Sequence, residues 1–207
     1  KIPLAIRSEI LKLEDKKETL LEVNRTIYET RSYAALKEAV KWRDDEAVKR
    51  ILRVNDKLGE EKVVMPISFS TFPNKELEDR FDGFLDYIHS FSYPILVPHV
   101  RFSRTPLKTA IKYDAKSFTK YVDSVVDALN KWNTKPIFVP LDVDYDEPTR
   151  NEIINHYAKN GYTNIWIDFK GQAFSPSKIS KVRGILRTTE KAFKSQIRQV
   201  IVYICLL

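Results

Sequence analysis

Short apolar runs alternate with longer amphipathic segments from Val63 to the end of the chain. Between the runs, apolar residues recur at helical spacing, as Leu77, Phe81 and Ile88 do. Runs that are apolar throughout are typical of strands covered on both faces, and strand–helix alternation favours parallel strands joined by helical crossovers. The sequence therefore predicts an α/β domain with a parallel sheet, whose five strands correspond to residues 63–69, 94–101, 136–144, 164–169 and the run that begins near residue 199.

Two of these runs share a proline pattern that indicates repeated βα units. Pro94 and Pro98 enclose one apolar triplet, Pro136 and Pro140 enclose a similar one, and Pro66 marks a third copy. Repeated βα units without a G-x-G-x-x-G motif favour a TIM-type (βα) barrel over a Rossmann sheet. Because the chain ends within an apolar run, we expect a partial or truncated barrel. The alternative is a five-stranded flavodoxin-like open sheet, which is complete at this length.

The N-terminal residues differ in character, because they carry two amphipathic helical patterns instead of apolar runs. The first pattern begins near Ile6, and the second ends before Gly59, which is a typical C-terminal cap. We therefore expect a helical hairpin over residues 1–60, followed by the α/β domain over residues 61–207. The hairpin is a candidate surface for a partner protein or for a second copy of the chain.

The composition excludes several classes of protein. With 43% hydrophobic and 30% charged residues among 207, the chain can bury a core, which excludes a disordered tail. Its single cysteine, Cys205, excludes an intrachain disulfide and a cysteine-based metal site, so we expect a reducing, cytoplasmic location. No uncharged apolar segment is long enough to span a membrane, and we expect no membrane partner.

Acidic residues stand where two of the predicted strands end. In α/β folds with parallel strands, ligands bind at the carboxyl ends of the strands. Asp142 and Asp144 alternate with the apolar residues of the third strand, so we expect both to face the interior, away from the helices. Asp168 and Lys170 alternate in the same way on the fourth strand. These four residues are therefore the candidate catalytic residues, at one rim of the sheet.

Several functions fit this rim. Asp142, Asp144 and Asp168 offer carboxylate oxygens to Mg²⁺ or Mn²⁺, or one of them acts as a general base. Lys170 is suited to neutralise a phosphate or, if desolvated, to act as a nucleophile. In the alternative interpretation, the acids of the third strand and Asp146 only cap the helix that follows, and for Asp146 this interpretation is favoured.

The other strand ends supply candidate residues for binding an anionic substrate. When the proline patterns are aligned, Ser68 and Ser70 fall at the same rim. The second strand ends at His99 and Arg101, and Arg104 follows in a basic loop. The alignment puts His99 level with helix-facing residues, which favours a structural histidine unless a bulge shifts the register.

The net charge of +7 is concentrated in two segments, residues 101–120 and 177–198. In the second segment, cations recur at steps of three or four residues and form a basic stripe on one face of the predicted helix: Arg183, Arg187, Lys191, Lys194 and Arg198. Aligned cations are able to track a phosphate backbone. An ordinary solvated helix face is the favoured alternative.

Together these patterns favour an enzyme domain of the TIM-barrel type that acts on an anionic substrate, either phosphorylated or a nucleic acid. One alternative is a non-catalytic nucleic-acid-binding module that uses the basic stripe. Another is an interaction domain that uses the N-terminal hairpin. The sequence contains no motif that identifies a reaction.

Overall fold

The computed structural model describes residues 20–22, 25–27, 31–52, 62–69, 81–100, 115–131, 133–169, 175–194 and 199–205. Within them, helices and short strands follow one another in the order β1 (Leu20–Glu22), β2 (Arg25–Ile27), α1 (Arg31–Lys41), α2 (Asp45–Leu52), β3 (Lys62–Val64), β4 (Ile67–Phe69), α3 (Phe81–His89), β5 (Ile95–Leu96), β6 (His99–Val100), α4 (Ala115–Asn130), β7 (Ile137–Asp142), α5 (Glu147–Asn160), β8 (Asn164–Asp168), α6 (Pro176–Phe193) and β9 (Ile201–Cys205). The strand pairs among these residues are all parallel, which confirms the predicted mixed α/β class.

The paired strands follow the order of the chain. β1 pairs with β3, and β2 pairs with β4, which also pairs with β6. β5, β7, β8 and β9 then lie side by side in that order. Only Met65–Pro66 separates β3 from β4, and only Val97–Pro98 separates β5 from β6. Each of these pairs is one strand interrupted at a proline, which has no N–H to donate to the ladder.

The N-terminal segment departs from the predicted helical hairpin. Residues 20–22 and 25–27 are strands that pair with β3 and β4, where the sequence pattern predicts a helix. The apolar spacing of so short a segment fits either element, and pairing with a neighbouring strand overrides it. Where the second pattern predicts one helix, two helices follow, α1 and α2, and their side chains Leu36 and Val48 pack in the same core as Phe69 of β4. The prediction of one continuous first helix is therefore wrong. The domain boundary at residue 60 stays a prediction.

Alternate residues of the strands face two different clusters. Val139, Leu141 and Ile165 pack with the helices in the main core. The second cluster consists of strand residues alone, namely Val64, Leu96, Phe138 and Trp166, with Tyr203 packed against them. Helical residues thus belong to the core on one face of the sheet, and strand side chains form the cluster on the other face.

Two successive βα units share an anchoring hydrogen bond. The hydroxyl of Tyr121 in α4 donates to the carbonyl oxygen of Pro98 at 3.1 Å. The hydroxyl of Tyr157 in α5 donates to the carbonyl oxygen of Pro140 at 2.7 Å. In each unit, a helix is fixed to the second proline of the repeated pattern. The similarity between the two proline-bracketed runs thus corresponds to an equivalent packing geometry.

The helices have one buried face and one exposed face. In α4, for example, Val122 and Leu129 are buried, whereas Lys120 and Asp127 are exposed. Within the described part of the chain, no helix combines the length and the apolar character that crossing a bilayer requires. The cytoplasmic location stays a prediction.

Candidate functional site

A buried histidine–aspartate pair lies at the carboxyl ends of the strands. Nδ1 of His99 is 2.8 Å from Oδ2 of Asp168, and neither side chain is exposed to solvent. Because a carboxylate only accepts, His99 donates from Nδ1, which leaves Nε2 of the neutral ring as an acceptor. The hydroxyl of Tyr145 lies 2.9 Å from Nε2, and it donates to Nε2 when the ring is neutral. These three side chains form one hydrogen-bonded series, the Asp168–His99–Tyr145 array.

The orientation of His99 differs from the sequence prediction. Leu96 packs in the strand-only cluster with Trp166, and the ring of His99 lies edge-on to the same Trp166, with centroids 6.2 Å apart. Residues three apart on an unbroken strand point to opposite faces. The interruption at Val97–Pro98 shifts the alternation by one residue and turns His99 to the face of the strand-only cluster. The helix-facing position predicted for His99 is therefore wrong, because the predicted alternation assumed a continuous strand.

Aromatic side chains fix the imidazole ring of His99. Phe118 of α4 lies edge-on at 5.6 Å between ring centroids, and the Tyr145 ring lies at 6.2 Å. Trp166 closes a third side, and its Nε1 donates to the carbonyl oxygen of Val97 at 3.1 Å. A ring held by both nitrogens and packed against three aromatic groups has one orientation and one tautomer.

Asp142 lies next to the array. It is the register partner of Asp168 on the neighbouring strand, and the residue is 3% exposed. One of its oxygens, Oδ1, accepts a hydrogen bond of 2.7 Å from the backbone N–H of Asp144. Two carboxyl groups predicted to share a rim are therefore brought to neighbouring positions, with different hydrogen-bond partners.

Asp144 does not share the surroundings of Asp142. Strand β7 ends at Asp142, and Asp144 stands in the turn that follows, where strand alternation no longer applies. Its carboxylate accepts hydrogen bonds of 2.7 Å from the ammonium groups of Lys178 and Lys181 on α6. Burial raises the pKa of Asp144, but the hydrogen bonds and charges of the two lysines outweigh it and lower the pKa to about 2.

The metal site predicted from Asp142, Asp144 and Asp168 is not supported. The carboxylate of Asp144 is held by two lysines, and that of Asp168 is held by His99. In the described ranges, no group of three or more His, Cys, Asp or Glu side chains is arranged to hold a metal ion. Mg²⁺ and Mn²⁺ prefer several carboxylate oxygens at one point, and this arrangement does not offer them.

Asp146 has the capping role that was favoured for it. It is the N-cap of α5, and its Oδ1 accepts from the backbone N–H of Thr149 at 2.8 Å. This hydrogen bond lowers the pKa of Asp146. Pro148 lies in the first turn of the helix, as its missing N–H permits.

Ser68 lies on the same face of its sheet as His99, the face of the strand-only cluster. The two residues are register partners on β4 and β6, and Ser68 is fully buried. Its neighbours Ile67 and Phe69 both pack in the main core, so Ser68 points to the opposite face. Among the described residues, its hydroxyl oxygen has no hydrogen-bond partner. A buried hydroxyl without a partner is costly, which makes Ser68 a candidate contact for a ligand.

Several predicted site residues lie outside the described residues. These are Ser70, Arg101, Arg104, Lys170 and Arg198. Each follows a described strand or helix in the sequence, since Ser70 follows β4, Arg101 follows β6 and Lys170 comes two residues after β8. Their roles in binding or catalysis stay predictions.

Four residues of the basic stripe lie on one continuous helix. Helix α6 extends through Gly184 without interruption, and the stripe cations on it are exposed. These cations are Arg183, Arg187 and Lys191, followed by Lys194 at the C-cap. The exposed Glu190 falls on the same face, three residues after Arg187 and four before Lys194. The stripe is therefore a cationic face with one acid in it.

Sequence reasoning missed Tyr145. Its only signal in the sequence is its position shortly after a strand that ends in two acids, and tyrosines at such positions are common turn residues. Its contact with His99 depends on the interruption at Pro98, which brings together residues 46 positions apart. Spacing along the chain does not reveal such a contact.

Comparisons with known protein families and with curated proteins gave no match. The chain matches no model of a known protein family, and no curated protein is similar enough to count as a match.

Proposed function

We propose that this chain is an enzyme domain of the barrel type that acts on an anionic substrate, phosphorylated or nucleic acid, at the carboxyl ends of its strands. The observation that carries the proposal is the buried Asp168–His99 pair with Asp142 beside it. A histidine with a fixed tautomer beside a carboxylate is suited to general acid–base catalysis, and strand ends are where such folds do chemistry.

The strand arrangement supports a barrel rather than a flavodoxin-like sheet. A flavodoxin-like sheet changes direction in its strand order and carries helices on both faces. Here the strands follow the order of the chain, and a cluster of strand residues alone fills one face. Barrel interiors are filled in this way, by layers of side chains contributed by the strands.

The charges near the site support an anionic substrate. Lys178 and Lys181 both bind Asp144, so this group of three keeps a net positive charge. Lys181 retains 42% exposure of its side chain and is therefore accessible to a ligand. In the sequence, Arg101 directly follows the strand that bears His99, and Lys170 follows the strand that bears Asp168. Cations near strand ends are suited to hold phosphate or carboxylate groups.

Ligand binding and turnover test this proposal together. Thermal unfolding of the wild type is measured at low ionic strength with inorganic phosphate, sugar phosphates, nucleotides and short RNA, and each compound that stabilises is then tested for conversion. A ligand at one hundred times its Kd is expected to stabilise by about 2.7 kcal/mol. Asp142→Asn preserves the acceptor for the Asp144 N–H, and it is expected to reduce turnover about a hundredfold.

The matched control neutralises an exposed acid on a helix. Glu152 is exposed on α5, so Glu152→Gln is expected to retain both binding and turnover. The proposal is wrong if no anion in the panel stabilises the wild type, or if Asp142→Asn and Glu152→Gln convert a bound substrate equally fast.

The exposed cations of α6 favour a second candidate function, the binding of a nucleic acid through the basic stripe. Arg187→Glu with Lys191→Glu reverses two of these charges. The matched control reverses two exposed lysines elsewhere, Lys120 on α4 and Lys159 on α5. If the stripe binds phosphates, the first pair is expected to reduce the salt dependence of RNA binding by about one ion per lost contact, and the control pair is not. Equal effects of both pairs would contradict a defined binding face.

A further inference from the structure

The Asp168–His99–Tyr145 array leads from the interior of the protein toward its surface. Asp168 and His99 are fully buried, whereas Tyr145 is partly exposed. Both ring nitrogens of His99 already have partners, at 2.8 Å and 2.9 Å. A substrate that displaces no buried hydrogen bond can therefore contact this array only at Tyr145.

We propose that Tyr145 is the catalytic residue that exchanges a proton with the substrate, and that His99 and Asp168 act through it as positioning residues. The inference rests on the proposed enzymatic function and names the group that touches the substrate. The phenolic oxygen of Tyr145 takes a proton from the substrate while its own proton passes to Nε2 of His99. The substrate thereby loses one proton, and the imidazole gains one and becomes an imidazolium.

The surroundings of the array are suited to this transfer. The carboxylate of Asp168 faces Nδ1 and stabilises the imidazolium, since an opposite charge in a buried environment interacts strongly. The ring of Tyr145 packs edge-on to Phe118, with centroids 6.1 Å apart, which restricts its movement. Its backbone N–H donates to the carbonyl oxygen of Asp142, so the turn after β7 holds the tyrosine beside the strand ends. The reverse transfer returns the proton through the same oxygen.

Reaction of the folded protein with an arylsulfonyl fluoride tests the proposal without a substrate. The phenolic oxygen attacks sulfur, the S–F bond breaks, fluoride leaves, and His99 retains the phenolic proton. Sites of labelling are mapped by peptide mass spectrometry at mildly alkaline pH. Tyr145 is expected to react at least about tenfold faster than Tyr93, although Tyr93 is 41% exposed, because Nε2 of His99 lies 2.9 Å from the hydroxyl of Tyr145 and acts on it as a general base.

Two variants distinguish a base from mere accessibility. Asp168→Asn keeps an acceptor for Nδ1–H but removes the charge that stabilises the imidazolium, and it is expected to slow labelling of Tyr145 about tenfold. His99→Gln is expected to bring the rate down to that of Tyr93. Circular dichroism and urea unfolding establish that each variant is folded, and Tyr93 in the same sample is the internal reference. Labelling of Tyr145 that is no faster than that of Tyr93, or unchanged in a folded Asp168→Asn variant, would overturn the proposal.

The outcome separates this inference from the proposed function. If an anionic substrate is converted but Tyr145 shows no enhanced labelling, the array does not act through tyrosine, and the enzymatic function stands. If labelling is enhanced and no anion binds, the array is active and the substrate class is wrong. In the second case, Tyr145→Phe, which removes only the hydroxyl, is expected to eliminate the fast-labelled site.

Discussion

Asp142 and Asp168 are direct register partners at the ends of β7 and β8, yet their carboxylates have different neighbours. Asp142 accepts from the backbone N–H of Asp144, and Asp168 is paired with His99. These contacts give the two acids distinct positions, one tied to the turn after β7 and one to a titratable ring.

The pairing of Asp168 with His99 predicts strong energetic coupling. Asp168→Ala leaves a buried imidazole without its acceptor and is expected to cost about 3–5 kcal/mol of unfolding free energy. His99→Leu removes the imidazole that pairs with a buried carboxylate and is expected to cost a similar amount. The double variant removes both polar groups, so its cost is expected to be smaller than the sum of the two. Urea unfolding of all four proteins measures the coupling, and additive costs would contradict the pairing.

The sequence predicted the fold where its elements are long or repeated. The runs at 136–144 and 164–169 are mostly apolar and correspond to β7 and β8. The strand at residues 20–22 was missed because three residues carry too little pattern to compete with helical spacing. Long-range pairing decides such short elements, and it leaves no trace in the local sequence.

The candidate site could be predicted only where side chains alternate regularly between the two faces of a strand. Asp142 and Asp168 were placed correctly on one face because they belong to continuous strands. Asp144 was misplaced because the strand ends two residues earlier, and His99 because a proline interrupts its strand. Each wrong prediction concerns a position where the backbone geometry changes within one or two residues. The spacing of residues in the sequence does not indicate such a change.

The two helix-to-proline anchors predict unequal losses of stability. Tyr157 is fully buried, so Tyr157→Phe removes a hydrogen bond that no water replaces and is expected to cost about 1–3 kcal/mol. Tyr121 is only partly buried, and Tyr121→Phe is expected to cost about 0.5–1.5 kcal/mol. Urea midpoints at constant m-value measure both costs. A larger loss at Tyr121 would contradict the assignment of the buried anchor.

Because His89 is buried, we expect the protein to lose stability in mild acid. Burial, and next the charge of Lys135, lowers the pKa of His89 from 6.5 to about 3. The folded state therefore binds fewer protons, so its stability is complete above the unfolded pKa and falls as the pH drops from 6.5 toward about 3. Between pH 7 and pH 5 the expected loss is about 2 kcal/mol.

The His89 prediction is tested by comparing slopes rather than single values. The wild type is expected to lose about 2 kcal/mol of unfolding free energy between pH 7 and pH 5 because of His89. In His89→Gln most of this loss is expected to disappear, whatever the stability of the variant at neutral pH. His156, whose side chain is 28% exposed and contacts Asp123, provides the control in His156→Gln. An unchanged slope in a folded His89→Gln variant would show that His89 is not buried in its neutral form.

Asp144 predicts a second loss of stability, at lower pH. Its pKa falls from 3.8 to about 2 in the folded protein because of the two lysines, although burial opposes this. The stabilisation is therefore complete above the unfolded pKa of 3.8 and is lost as the pH falls through about 2. Allowing for solvent screening, it amounts to about 1 kcal/mol. Asp144→Asn is expected to lose this part of the acid dependence, and a parallel pH profile would contradict it.

Gly184 predicts a gain in stability. A Cβ built at Gly184 meets the guanidinium of Arg150 at 3.6–3.8 Å, which is ordinary van der Waals contact, and the position lies within the continuous helix α6. Alanine restricts the unfolded chain more than glycine does, so Gly184→Ala is expected to stabilise by about 0.5–1 kcal/mol. Thermal unfolding measures the gain. Because the substitution changes no charge, the same variant is also expected to leave RNA binding unchanged. A destabilised variant would mean that α6 lies closer to α5 than this packing allows.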